Sequence, residues 1–245
     1  AFCFSITSVS IIISVFLSRF LHPSDIRGEF IQASYRSSAA ILGIAIIQNL
    51  YGNAGMAPLM IIASVPLYNV MAVVILSIFK PGQGKLNGVV LKRTLKGIIT
   101  NPIILGIAAG TLWSLLRLPF PKILDSTVGN LAKTATPLGL MAMGGSLRFG
   151  KAFSRLKASV ACTFMKLVGY EALFLPLAIR CGFTQDKLVS IIIMLGSAST
   201  VTCFVMAKNM DHEGSFSSGV VLLTTVFSAF TLTLWLFICK NLGLI

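Results

Sequence analysis

Five of the seven residues from 196 to 202, Gly-Ser-Ala-Ser-Thr-Val-Thr, are Gly, Ser or Thr. Such residues are poor helix formers, and their hydroxyls can stand in for backbone hydrogen-bond partners. Inside an apolar segment the run predicts a local unwinding, which a membrane tolerates only where the freed backbone lines a cavity or a ligand. A sparser set, Ser37, Ser38 and Gly43, lies in an earlier apolar segment. The chemistry on offer is coordination of a small molecule by hydroxyls and freed backbone groups, with Ser38, Gly43, Ala45, Ser197, Ser199, Thr200 and Thr202 as candidate ligand-lining residues. The alternative use of small residues is close helix packing.

Three ionisable residues interrupt apolar segments: Lys133, Lys166 and Glu171. A charge in hydrocarbon costs several kcal/mol unless paired, so each is a candidate for ion coupling or for attracting an anion. Against this stand snorkelling of either lysine to the interface and a structural hydrogen bond for Glu171. At about 100° per residue, Lys166 and Glu171 stand roughly 140° apart on an α-helix, so each is expected to face a different neighbour. Lys133 precedes Thr136-Pro137, which should kink its helix.

Other chemistries lack their parts. A serine hydrolase built on Ser146 of Gly144-Gly145-Ser146, or on Ser199, needs a base within reach, and His22 and His212 both fall in expected loops. The cysteines Cys3, Cys162, Cys181, Cys203 and Cys239 show no CxxC spacing, so neither a metal site nor a cofactor is expected. The reading is a chain that is not an enzyme. The formal charge of +13 suggests nucleic acid, but no basic stripe is interleaved with aromatics, and nucleic acid is excluded as a partner.

The elements that must position these residues are transmembrane helices. Hydrophobic residues make up 56% of the 245 and charged ones 11%, too few charges to cover a water-facing surface. Residues 37–79 contain no charge at all and are long enough for two spans, with a turn at Tyr51-Gly52-Asn53-Ala54-Gly55. Further apolar windows at 1–18, 97–116, 124–147, 158–179, 188–207 and 214–239 bring the expectation to about eight helices in an all-α membrane protein. If loops are assigned to alternate sides, one side collects thirteen Lys and Arg, including Arg19, Arg27, Arg36, Arg148 and Lys151, and the other five. The basic side is then cytoplasmic and both ends of this chain extracytoplasmic, in the plasma membrane.

Polar residues 80–97 separate three helices from five, which divides the chain into 1–79, a cytoplasmic linker at 80–97, and 98–245. Helices over 33–50 and 188–206 then hold equivalent places, each with small or polar residues in mid-span.

The order and spacing of four motifs resemble the auxin efflux carrier family of permeases, in its bacterial form. They are Tyr35-Arg36-Ser37-Ser38 with Leu42-Gly43-Ile44-Ala45; Asn101-Pro102-Ile103-Ile104; Ala135-Thr136-Pro137-Leu138-Gly139-Leu140 running to Gly144-Gly145-Ser146-Leu147; and Cys203-Phe204-Val205-Met206-Ala207-Lys208. The resemblance implies ten helices in two inverted repeats of five, the fourth and ninth broken and crossing at the substrate site, with the first two absent here. It also implies transport of a small organic anion, carboxylate or auxin-like. The family's crossing prolines are replaced by Ala45 and Ala198, and its asparagines by Ser38 and Thr202. Alanine favours a continuous helix, so both crossings are expected to be less open. The expected partners are the organic anion and the lipid bilayer, with a homodimer admitted. The competing reading is a membrane sensor that does not transport.

Overall fold

A computed structural model describes residues 1–22, 24–81, 88–100, 102–117, 119, 121–146, 150 and 155–245. Asn101, Leu147, Arg148, Lys151 and 82–87, which include Gly82, Gly84 and Lys85, lie outside the described residues. Among the described residues every regular element is a helix.

In chain order these are α1 Phe2–Ser18, a 3-10 turn Ser24–Ile26, α2 Arg27–Tyr35, α3 Ala39–Tyr51, α4 Ala57–Ile78, α5 Gly88–Ile99, α6 Pro102–Leu115 and α7 Lys122–Gly145. There follow α8 Leu156–Phe164, a π-helical turn Met165–Gly169, α9 Tyr170–Arg180, α10 Gln185–Gly196, α11 Thr202–Asn209 and α12 Ser215–Asn241. Ala57–Ile78, Leu156–Arg180 and Ser215–Asn241 are long and apolar enough to cross a bilayer, and Phe2–Ser18 and Ile104–Leu115 are shorter apolar helices.

Helix ends follow local chemistry. Gly52 ends α3 in the left-handed region (φ 72°), open to glycine at no steric cost, and a proline in the first turn starts α4. Gly214 (φ 74°) precedes α12, and the buried carboxylate of Glu29 accepts the N–H groups of Gly214 and Ser217, both at 2.8 Å. That negative charge sits at the positive end of the longest helix.

The faces are arranged for lipid rather than water. In α1, Ser10, Ser14 and Ser18 are buried while Phe4, Ile12 and Phe16 point outward; in α12, Ser217, Thr224 and Ser228 are buried while Val226, Phe230 and Phe237 are exposed. Outward apolar faces over a hydroxyl-rich interior suit a multi-pass membrane protein, where lipid solvates the apolar faces and polar groups must bond to one another. Ser10, Ser14, Ser34 and Tyr170 do so across three helices: Tyr170 donates to the Ser10 carbonyl at 3.1 Å, and Ser34 to the Ser14 hydroxyl at 2.7 Å.

Two short helices occupy the centre. Residues 188–196 of α10 are all buried, packed against Ile47, Met60, Phe174 and Leu232. Eight of the nine residues of α2 are buried, against Ile11, Tyr68, Ile75, Phe216 and Val220. The expected loop around Arg27 is therefore a buried helix, and the span begins there rather than at 33. The expected linker at 80–97 is partly the helix α5, which lies against α4 and α6. His212, in a loop as expected, is nonetheless buried, with Nε2 2.9 Å from the Leu76 carbonyl.

Candidate functional site: two broken helices that meet

Each central helix is one half of an interrupted pair. After Tyr35 the chain leaves α2 through Arg36 in extended conformation (φ −74°, ψ 140°), and α3 resumes at Ala39. After Gly196 it leaves α10 through Ser197 in nearly the same conformation (φ −72°, ψ 155°), and α11 resumes at Thr202. The unwinding expected at 196–202 is present, and a second break lies at Arg36–Ser38.

The breaks touch and are propped by hydroxyls. The Ser38 N–H donates to the Ala198 carbonyl at 2.9 Å, and the Ser37 and Ser197 hydroxyls are hydrogen-bonded to each other. Ser199 Oγ donates to the Ala33 carbonyl at 2.6 Å, while its N–H is taken by Thr224 Oγ1 at 3.0 Å. Gln32 Nε2 donates to the Cys203 carbonyl at 2.8 Å. These bonds replace backbone partners lost at the breaks, so no proline is required. Both helices are interrupted although neither break contains a proline. Ala198 does lie in the second break, buried, but Ala45 is helical and exposed within α3, well past the first.

The candidate residues therefore separate. Ser38, Thr200 and Thr202 are half-buried and line the meeting point, with the two threonine hydroxyls 3.1 Å apart. Ser197 and Ser199 are there too, their hydroxyls bonded across the breaks. Gly43 is a packing position, since a methyl group there would stand 3.1 Å from Met60 Cε and 3.6 Å from Ile193 Cγ2. Lys133 is exposed on α7 and is not brought to the crossing; α7 reaches it instead through Gly139, against Val201.

Reading the sequence placed Arg36 in a loop and so missed the strongest charge in the site. Its side chain is buried to 2% exposure. One terminal nitrogen lies 2.8 Å from Met206 Sδ, the other 2.8 Å from both Asn69 Oδ1 and Thr202 Oγ1, and Nε has no partner. All three contacts are neutral, and a guanidinium does not give up its proton. The signal was available: an arginine directly against Ser37-Ser38, and an amide, Asn69, amid an otherwise apolar span.

The N-termini of α3 and α11 both lie at the breaks; at α11 the Thr202 N–H donates to Thr200 Oγ1 at 3.4 Å and the Cys203 N–H to the Thr200 carbonyl at 2.9 Å. The positive end of a helix dipole favours an anion nearby. A buried guanidinium, hydroxyls and two helix ends are groups whose chemistry suits a small anion.

A second pair of charges stands behind the break. Between Lys166 and Glu171 the helix is not regular α-helix, because Met165–Gly169 is a π-turn: the Tyr170 N–H bonds to the Met165 carbonyl five residues back. Lys166 Nζ lies 3.5 Å from the Leu195 carbonyl at the end of α10, where a cation suits the helix dipole. Glu171 lies against Gly196, so closely that a methyl group on that glycine would come within 2.4 Å of Oε1.

A family model described as membrane transport protein matches residues 1–236. A protein of Rhizobium meliloti (strain 1021) named "Putative malonate transporter" is 26% identical over 162 residues, which are 65% of this chain and 50% of the relative. The chain thus spans about half the length of the curated relative it matches.

Proposed function

Since the chain belongs to this membrane transport family, of the auxin efflux carrier type, we propose that it is a secondary carrier moving a small organic anion across the plasma membrane by alternating access. The anion sits where the broken helices meet, one carboxylate against Arg36 and the N-termini of α3 and α11, with Ser38, Thr200 and Thr202 completing its shell. A dicarboxylate of malonate size is the substrate class favoured by the name of the relative.

The observation that carries this reading is the burial of Arg36 among neutral partners only. A buried, uncompensated cation costs several kcal/mol, and an anion that pairs with it offsets that cost. Support for an inverted repeat comes from the order of elements: an apolar helix, a broken pair and an apolar helix recur as α1, α2/α3, α4 and as α8–α9, α10/α11, α12. In alternating access one bundle would move against the other about these breaks.

The test is uptake of labelled malonate by proteoliposomes containing the protein. Arg36→Gln should lower uptake at least about 100-fold, equivalent to about 3 kcal/mol, with Arg36→Lys retaining part of it. Uptake by Arg36→Gln with an unchanged KM would remove Arg36 from the site.

A further inference from the structure

Glu171 is buried to 0% exposure, and neither carboxylate oxygen accepts a well-formed hydrogen bond, although the Gly196 backbone lies close against it. Both features are unusual, because a buried polar group without a partner costs free energy and commonly marks a functional position. Its location is specific as well: the carboxyl rests on Gly196, the last residue of α10 before the second break. A motion of the second break that carries the end of α10 with it moves Gly196 relative to Glu171.

We propose that Glu171 is the proton-coupling site of the carrier, binding a proton on one side of the membrane and releasing it on the other as the second break changes conformation. This rests on the transport reading above and adds to it the identity of the coupling ion.

The neighbours support a proton over a metal cation. The titratable or charged groups facing Glu171 are Lys166, one π-turn back on the same helix, and Cys239 of α12. The α10 side presents only Gly196 backbone, and α12 adds the apolar Leu232, which also meets Gly196. Lys166 in turn faces Cys162 and Cys203. Sodium would need several oxygen ligands and would be repelled by an adjacent ammonium. No ion pair within 4 Å joins Glu171 to Lys166, so the lysine is free to hold the Leu195 carbonyl while lowering the cost of the carboxylate from a distance.

The cycle balances without another reactant. In the packed state Glu171 is the neutral acid, the form that requires no donor at either oxygen. When the break opens and water reaches the carboxyl, the O–H bond breaks, the proton passes to water and the carboxylate is solvated. Reprotonation from water on the opposite side restores the packed state. The proton and the anion thus occupy separate places on the two sides of the second break, Glu171 behind it and Arg36 in front.

The experiment compares two modes in proteoliposomes with the membrane potential clamped and a pH dye in the lumen, using labelled malonate at pH 7.5. Wild type should exchange malonate at equal pH, and should accumulate it when the outside is made more acidic, with acidification of the lumen. Glu171→Gln, which imitates the protonated acid, should keep exchange within a few-fold and lose both acid-driven accumulation and lumen acidification. Acid-driven accumulation by Glu171→Gln at the wild-type level would overturn the proposal. So would wild-type malonate influx that moves no protons, a measurement needing no variant. A folded Glu171→Gln that has lost exchange together with accumulation would make Glu171 structural and also overturn it. Absence of exchange in wild type would overturn the malonate reading, and the coupling with it.

Discussion

The two breaks share a backbone path and differ in chemistry. Both helices end in an extended residue and restart within a few positions. The first break carries a guanidinium, in Arg36, and the second carries hydroxyls only, its charges standing behind it in Lys166 and Glu171. The two segments are thus alike in backbone and unlike in charge: one holds a buried guanidinium, and the other a polar turn with an acid at its back. Much of that turn is internally committed, Ser197 to Ser37 and Ser199 to Ala33.

The largest effect expected from perturbing the second break comes at Gly196. A methyl group there would stand 2.4 Å from Glu171 Oε1 and 3.1 Å from Leu232 Cδ2, and a packed interior gives little room for either to retreat. Gly196→Ala should cost about 2 kcal/mol, or roughly 4–8 °C in Tm, and should remove most malonate transport. Thermal unfolding in detergent checks the first part and vesicle uptake the second. An unchanged Tm would mean that Glu171 is not held against the break.

Next in size is Thr202→Val, which keeps volume and removes the hydroxyl that accepts from Arg36 at 2.8 Å. With Asn69 and Met206 still in contact, the guanidinium should remain in place but lose part of its aim. Transport should fall about tenfold, mainly through KM, with stability nearly unchanged. Loss of folding instead would show that Thr202 is a structural strut like Ser199, and would erase the division between a binding hydroxyl and a fastening one.

What could be read from the sequence follows from these same residues. The polar run 196–202 announced its break because its residue types weaken a helix over several consecutive positions. The first break was displaced, since the proline pattern of the resembling family drew attention to Ala45 while the chain unwinds earlier, at Arg36–Ser38. Arg36 was hidden by a sound rule applied at a boundary: a cation beside an uncharged stretch normally belongs to a loop, and only tertiary contacts with Asn69, Thr202 and Met206 show otherwise. The π-turn between Lys166 and Glu171 was not foreseen, because it leaves little trace in composition. Apolar windows, by contrast, needed no tertiary information, and each falls on a helix or a pair of helices.

Gly43 offers the smallest effect and the cleanest contrast with Gly196. It was a candidate ligand-lining residue beside the first break, yet an added methyl group would meet only Met60 Cε at 3.1 Å and Ile193 Cγ2 at 3.6 Å. Met60 Cε ends a flexible thioether that can swing by a few tenths of an ångström. Alanine is also the better helix former, by roughly 0.5–1 kcal/mol, which offsets the crowding. Gly43→Ala should therefore change Tm by less than about 2 °C and malonate uptake by less than about twofold. If uptake fell tenfold at unchanged Tm, the anion would have to reach into α3 beyond Ser38, and the site would extend along the first pair of helices rather than sit at the meeting of the two.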